Sequence, residues 1–193
     1  LLENIINIKN YKIEKNFIKS NFQGRHVLGT LIRENELYIS HLKKNEKCDN
    51  FYISKGIISK EKIKFENFFK SDECVDNLQA GRMLNFSFKN KKGILLSIGG
   101  EPWDSPTLKS QEKNSIIGKV LFINESGQYE IFSIGHRTPQ GLTYFKNNII
   151  STEHGPDGGD EINKIKFNKN YGWPLASYGR HYSTINKKNK IPY

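Results

Sequence analysis

Sulfur is scarce in this sequence, with two cysteines and one methionine among 193 residues. Cys48 and Cys74 are too few for a disulfide framework, and with no CxxC spacing they offer neither a zinc site nor a dithiol redox centre. Two readings of the pair stay open, a single disulfide in an exported protein or two buried thiols. Long apolar runs are missing as well. No stretch approaches the ~20 residues of a membrane-crossing helix, and a secretion signal would lie ahead of Leu1, outside this sequence. Acidic residues are the minority, 20 against 30 Lys and Arg, for a net charge of +10. A polyanion-binding face needs those cations gathered in a patch or stripe. Here they are dispersed among Asn and Ile, as in NIINIKNYKIEKNFIK and NKKNKIP, the composition an AT-rich coding sequence produces, and no nucleic-acid partner is expected.

What is present is a folded composition, 36% hydrophobic and 12% aromatic, organised as short strands. Apolar and β-branched groups separated by turn residues occur at 27–32, 36–41, 50–54, 82–88, 94–98, 119–123 and 129–133. Arg33-Glu34-Asn35 and Lys89 to Gly93 separate strand pairs and predict two hairpins. Residues 60–70 fit neither the helical nor the strand period cleanly and are assigned to strand or loop. Residues 101–113, with two prolines and many polar side chains, predict a long loop. Strand-turn-strand units return about every 40 to 50 residues, the cadence of propeller blades.

Residues 135–178, GHRTPQGLTYFKNNIISTEHGPDGGDEINKIKFNKNYGWPLASY, are dense in Gly, Pro, Asp and His. Such a stretch is expected to be loop-rich and to organise a site. Its three motifs, Gly135 to Gly141, Glu153 to Asn163 and Tyr171 to Pro174, closely resemble in order and spacing those of the glucose/sorbosone dehydrogenase family, soluble sugar dehydrogenases that use pyrroloquinoline quinone (PQQ) and calcium. The resemblance is strongest over 119–182, weaker over 27–100, and leaves 1–19 unassigned. It implies an all-β, six-bladed β-propeller of the soluble quinoprotein glucose dehydrogenase type, of which 1–193 would hold about three to four blades as an internal fragment. It also implies a periplasmic or secreted location and a small-molecule sugar or carbohydrate ligand.

The resemblance assigns roles residue by residue. Arg137 would contact the quinone, where a planar cation pairs with its oxygens and stabilises charge that develops on reduction; without the flanking motifs it would read as a turn arginine paired with a carboxylate. Thr138 stands where the family usually has Asn, and a hydroxyl does not replace both hydrogen-bonding ends of an amide. The backbone carbonyls of Gly155 and Pro156 would coordinate the cofactor's calcium, a hard cation that takes oxygen ligands. Asp160, Glu161 and Tyr171 match positions of a second, structural calcium. Gln23, one residue out of register, resembles a glutamine that assists at the site. His154 has no second His or Cys at zinc spacing. Trp173 reads as packing against Pro174, with a sugar-stacking platform as the sharper alternative.

One departure bears on catalysis. Aligning Gly81-Arg82 on the family's Gly-Arg strand start places Leu78 at the general-base histidine and Asn77 at the preceding acid. An isobutyl group accepts no proton, and neither His26 nor His41 has the spacing to replace it. Two function classes follow: a PQQ- and calcium-dependent sugar dehydrogenase of low activity, or a non-catalytic calcium-stabilised propeller that binds a carbohydrate or protein partner.

Overall fold

The computed structural model describes residues 5–9, 12–16, 18–59, 61–75, 79–100 and 107–180. Strands β1 (Ile5–Lys9) and β2 (Lys12–Asn16) form an antiparallel hairpin, and β3 (Lys19–Ser20) leads into the first large sheet. That sheet is antiparallel, with β4 (Arg25–Arg33), β5 (Glu36–Lys44), β6 (Asp49–Ile57) and β8 (Phe65–Cys74) side by side. The two-residue β7 (Lys62–Ile63) pairs in parallel with β3. A second sheet runs β9 (Ala80–Phe88), β10 (Lys91–Ile98), β11 (Lys119–Asn124) and β12 (Tyr129–Ile134). The third contains β13 (Pro139–Phe145), β14 (Asn148–Glu153) and β15 (Glu161–Ile165). The short β16 (Lys169–Asn170) returns to add a parallel strand outside β12.

These sheets are successive propeller blades. Their lead strands touch in sequence, β4 against β9 and β9 against β13, as the inner strands around a central channel must. Arg82 ties the starts of all three together, with Nε donating to the Gln140 carbonyl at 2.6 Å and Nη1 to the Leu28 carbonyl at 2.9 Å. At the far end Arg33 meets Glu125 at 2.7 Å, and the Tyr144 hydroxyl donates to the Asn85 carbonyl at 3.0 Å. The lead strands therefore run in one direction and share one head end.

The middle blade shows why its sequence lacks clean alternation. A strand sends successive side chains to opposite faces, and here both faces are covered. Ile94, Leu96 and Ile98 of β10, with Leu121 and Ile123 of β11, pack on Tyr38, Phe51, Ile53 and Phe69 of the first blade. Leu95, Val120 and Phe122 point the other way, onto Phe132, Ile149 and Ile165. Burying each such side chain is worth about 1.5–3 kcal/mol, so the continuous apolar run of β10 holds two neighbours at once.

Both predicted hairpins form, through Glu34-Asn35 and Lys89-Asn90. Lys89 and Asn90 have φ of 50° and 62°, the left-handed pair that matches the twist of a two-residue hairpin. All seven predicted strands fall within β4, β5, β6 and β9 to β12. Residues 65–74 resolve the ambiguity over 60–70 in favour of strand. Of the loop expected over 101–113, residues 101–106 lie outside the described set, and Lys109–Gln111 form one 3-10 turn. The 135–178 stretch is loop-rich over rather more than half its length, as expected, and it also contains the whole of β13, β14 and β15. Lys146 and Asn147, with φ of 44° and 63°, make the hairpin turn whose signal the surrounding Gly and Pro residues obscured. Cys48 and Cys74 form a disulfide, Cα–Cα 5.7 Å, that staples the start of β6 to the end of β8.

Candidate cofactor and cation site

The site is built where β13 begins and β14 ends. Gly135 turns the chain out of β12 with φ of 77°, and a Cβ there would lie 2.2 Å from Asn170 Oδ1; only glycine lets the 170–173 segment come this close. That segment is pinned in place. Tyr171 N–H donates to the Ile134 carbonyl and Trp173 N–H to the Gly135 carbonyl, both at 2.9 Å. The Tyr171 ring stacks on His136 at 4.6 Å, and burial pushes its hydroxyl's pKa above the ordinary tyrosine value.

Arg137 is almost wholly buried, at 7% exposure. Its Nη1 donates to the carbonyls of His154 and Gly155, each at 2.7 Å, and its guanidinium lies 5.2 Å from the Trp173 ring centre. Such a cation over an indole face is favourable. Trp173, 4% exposed, thus sits beneath Arg137 as packing and presents no open face to a sugar.

The loop from His154 to Asp160 is compact. A Cβ on Gly155 would lie 2.3 Å from the Gly159 carbonyl oxygen, and one on Gly159 would lie 2.1 Å from Gly179 N. Asp157 and Arg180 exchange backbone hydrogen bonds at 3.0 and 3.1 Å and pair through their side chains at 2.7 Å. Asp160 caps the loop from outside. Its Oδ1 accepts Gly155 N–H at 2.9 Å and meets His154 Nδ1 at 3.1 Å, and the Gly155 N–H bond, followed by His154, draws its pKa below the ordinary carboxylate value.

Beneath this loop lies a small hollow of about 10 Å³, lined by Arg137, Glu153, Gly155, Pro156, Glu161 and Tyr171 among others. It is the size of one ion or water. Five residues singled out from sequence, Arg137, Gly155, Pro156, Glu161 and Tyr171, therefore meet around one space. Asp160 stands apart at the surface. Thr138 contributes its carbonyl to His154 N–H at 3.0 Å. Gln23 is exposed just before β4 and does not line the hollow. Asp76, Asn77 and Leu78 lie outside the described residues. His41 is core, 2% exposed with Nε2 2.8 Å from Ser54 Oγ, and burial lowers its pKa. Sequence reasoning missed His136 and Glu153, buried at 0% and 6%. Their only signal was a His and a Glu immediately before Arg137 and His154.

The donors these lining residues can offer are oxygens, main-chain carbonyls and the Glu153 and Glu161 carboxylates, which suit a hard cation. Among the described residues no three His, Cys, Asp or Glu side chains gather as a metal cluster, so any cation here depends on main-chain carbonyls. The Gly155 carbonyl already accepts Arg137 but has a second lone pair. The residues present fit a hard cation at the carbonyl oxygens, and the Arg137 guanidinium would suit an anionic cofactor.

The fold is thus an all-β propeller with its polar site at the shared head of the lead strands. Residues 30–192 match the model of the family described as Glucose / Sorbosone dehydrogenase, and the chain belongs to that family. It is 42% identical over 117 residues to the aldose sugar dehydrogenase YliI of Escherichia coli, covering 52% of this chain and 30% of that protein. Over 85 residues it is 36% identical to quinoprotein glucose dehydrogenase B of Acinetobacter calcoaceticus, covering 37% of this chain and 18% of that one. The crystal structure of the soluble aldose sugar dehydrogenase from Escherichia coli in the apo-form superposes with a TM-score of 0.65 at 26% identity, over 78% of this chain and 48% of that chain. The chain thus spans less than a third of the curated relatives named here and about half of the solved chain.

Proposed function

We propose that the protein is a PQQ- and calcium-dependent sugar dehydrogenase of low activity. The observation that carries this reading is the seating of Arg137, a buried cation bonded to the Gly155 carbonyl and lining, with Gly155 and Pro156, the hollow in which a second cation would sit. Two cations at such range repel strongly unless anionic groups compensate them, and Glu153 and Glu161 at the hollow would be joined in this by any anionic ligand. A polycarboxylated quinone is such an anion. When bound, PQQ would supply the o-quinone that takes up the hydride equivalent from the C1 carbinol of an aldose.

The chain's own residues would do the rest. Arg137 would hold and orient the cofactor's oxygens, the Gly155 and Pro156 carbonyls would hold the calcium, and the buried Trp173 excludes water from beneath the guanidinium. Glu161 and Tyr171, which the family resemblance assigns to a second, structural calcium, line the same one-ion hollow as Gly155 and Pro156, so the four would serve a single ion there. Leu78 offers no proton acceptor where the family carries its base, and a positioned base is worth ~10²–10⁴ in rate. The same substitution favours the second reading, a non-catalytic calcium-stabilised propeller that binds carbohydrate or a protein partner. The Cys48–Cys74 disulfide supports an oxidising, periplasmic or extracellular location.

The test is dye-linked oxidation of several aldoses by the intact protein and by Leu78→His, each supplied with PQQ and calcium. We expect weak turnover that rises at least tenfold in the variant. No turnover in either protein, with PQQ nonetheless bound, would replace the enzyme reading by the binding one.

A further inference from the structure

Glu153 belongs to no role described so far, yet it is the most heavily bonded carboxylate at the site. Its Oε1 faces His136 Nδ1 at 2.7 Å and accepts Asn163 Nδ2 at 3.1 Å, while Oε2 accepts the main-chain N–H of Arg137 at 3.3 Å. Asn163 Nδ2 also donates to Glu161 Oε2 at 2.8 Å. His136 Nε2 lies 2.7 Å from Ser133 Oγ, so the ring is held at both nitrogens, with Nδ1 facing the carboxylate. Serine, histidine and glutamate are all buried, at 1%, 0% and 6%. No substrate reaches them as a nucleophile and base.

Burying a carboxylate costs several kcal/mol, which here the bonds from His136, Asn163 and the Arg137 N–H must offset. Its geometry points to a specific use. Glu153, His154 and Gly155 are consecutive, and they grip Arg137 at both ends, the first by its main chain and the other two by its guanidinium. Through Asn163 the same carboxylate reaches Glu161 on the neighbouring strand, where Glu153 and Glu161 are paired in register. We infer that Glu153, held in turn by His136, is a positioning residue that sets Arg137 and Glu161 in one fixed relation, so that quinone binding and cation binding are coupled through it. This rests on the quinoprotein reading above.

The experiment compares intact wild type, Glu153→Gln, His136→Asn and His136→Leu. Glutamine keeps the shape but cannot accept from donors on both sides; asparagine keeps a donor toward Glu153 and leucine does not. Two readouts are taken: PQQ affinity with calcium present, by quenching of tryptophan fluorescence, and, without cofactor, the rate at which phenylglyoxal modifies Arg137, quantified by peptide mass spectrometry. Glu153→Gln and His136→Leu are expected to weaken PQQ at least tenfold and to speed Arg137 modification severalfold, with His136→Asn near wild type. Wild-type values for both Glu153→Gln and His136→Leu would overturn the inference. Should Glu153→Gln fail to fold, the His136 pair decides. Wild type that binds no PQQ sinks the quinoprotein reading, and the modification rates still report whether Glu153 holds Arg137.

Discussion

Replacing Gly155 by alanine should separate the site from the fold. The added methyl would lie 2.3 Å from the Gly159 carbonyl oxygen, 2.4 Å from its carbon and 2.6 Å from the Gly158 oxygen. All three are backbone atoms that cannot rotate away, so the 154–160 loop must shift. Overpacking of this kind costs about 1–3 kcal/mol, or roughly 2–12 °C in Tm for a domain of this size. The control is Gly158→Ala, where nothing lies within 4 Å of the new methyl but φ is 77°; its cost, ~1–2 kcal/mol of backbone strain, is local. Calcium at a hundredfold excess over its Kd should stabilise wild type by ~2.7 kcal/mol. The assay is calorimetric melting of the intact protein with calcium or chelator. Gly158→Ala should lower Tm and keep the calcium shift, whereas Gly155→Ala should lose most of it, because its carbonyl moves. A full calcium shift in Gly155→Ala would refute the assignment of that carbonyl to the ion.

Two further outcomes follow from the first blade. Lys55 Nζ at 2.6 Å, then the Tyr38 hydroxyl at 2.7 Å and Arg33 at 3.3 Å, hold the Glu36 carboxyl at about 2 against an ordinary 4.5. A depressed folded pKa contributes stability that is complete above the unfolded value and is lost as pH falls from about 4.5 toward 2; at this partly exposed site that is about 1–2 kcal/mol. Glu36→Gln should flatten the acid limb of a pH-melting profile, and an unchanged limb would show the cluster contributes nothing. The Cys48–Cys74 bond closes a separation of 26 residues, worth ~3.5 kcal/mol by loop entropy. Reduction verified by thiol titration should lower Tm by about 7–14 °C, and an unmoved Tm would contradict that role.

The parts of the fold legible in the sequence were those where period and turn chemistry agree. Leu37 to Ile39 and Phe86 to Phe88 flank turn residues, so β4–β5 and β9–β10 could be read directly. The third blade was hidden because Gly141, Pro139 and the Gly-rich 155–159 loop dominate its composition, while Leu142 to Phe145 and Ile149 to Ser151 carry an ordinary strand pattern. Arg137, Gly155, Pro156, Glu161 and Tyr171 were legible through linked motifs, and the structure gathers them around one hollow. Glu153 and His136 were not. A buried carboxylate bonded across strands leaves no periodic trace, since its partners at 136, 137 and 163 meet it only once β13, β14 and β15 pair. The pairing of Cys48 with Cys74 was likewise undecidable until β6 and β8 lay side by side.

The most direct test of the quinoprotein reading is an equilibrium titration of the intact protein with PQQ, followed by tryptophan fluorescence, with calcium and with chelator. Arg137 and a cation at the Gly155 carbonyl share one anion in this account, so PQQ should bind stoichiometrically, calcium should tighten it at least tenfold, and PQQ should tighten calcium by the same factor. Arg137→Leu should abolish that binding. PQQ affinity that is absent, or that is indifferent to both calcium and Arg137, would contradict the account.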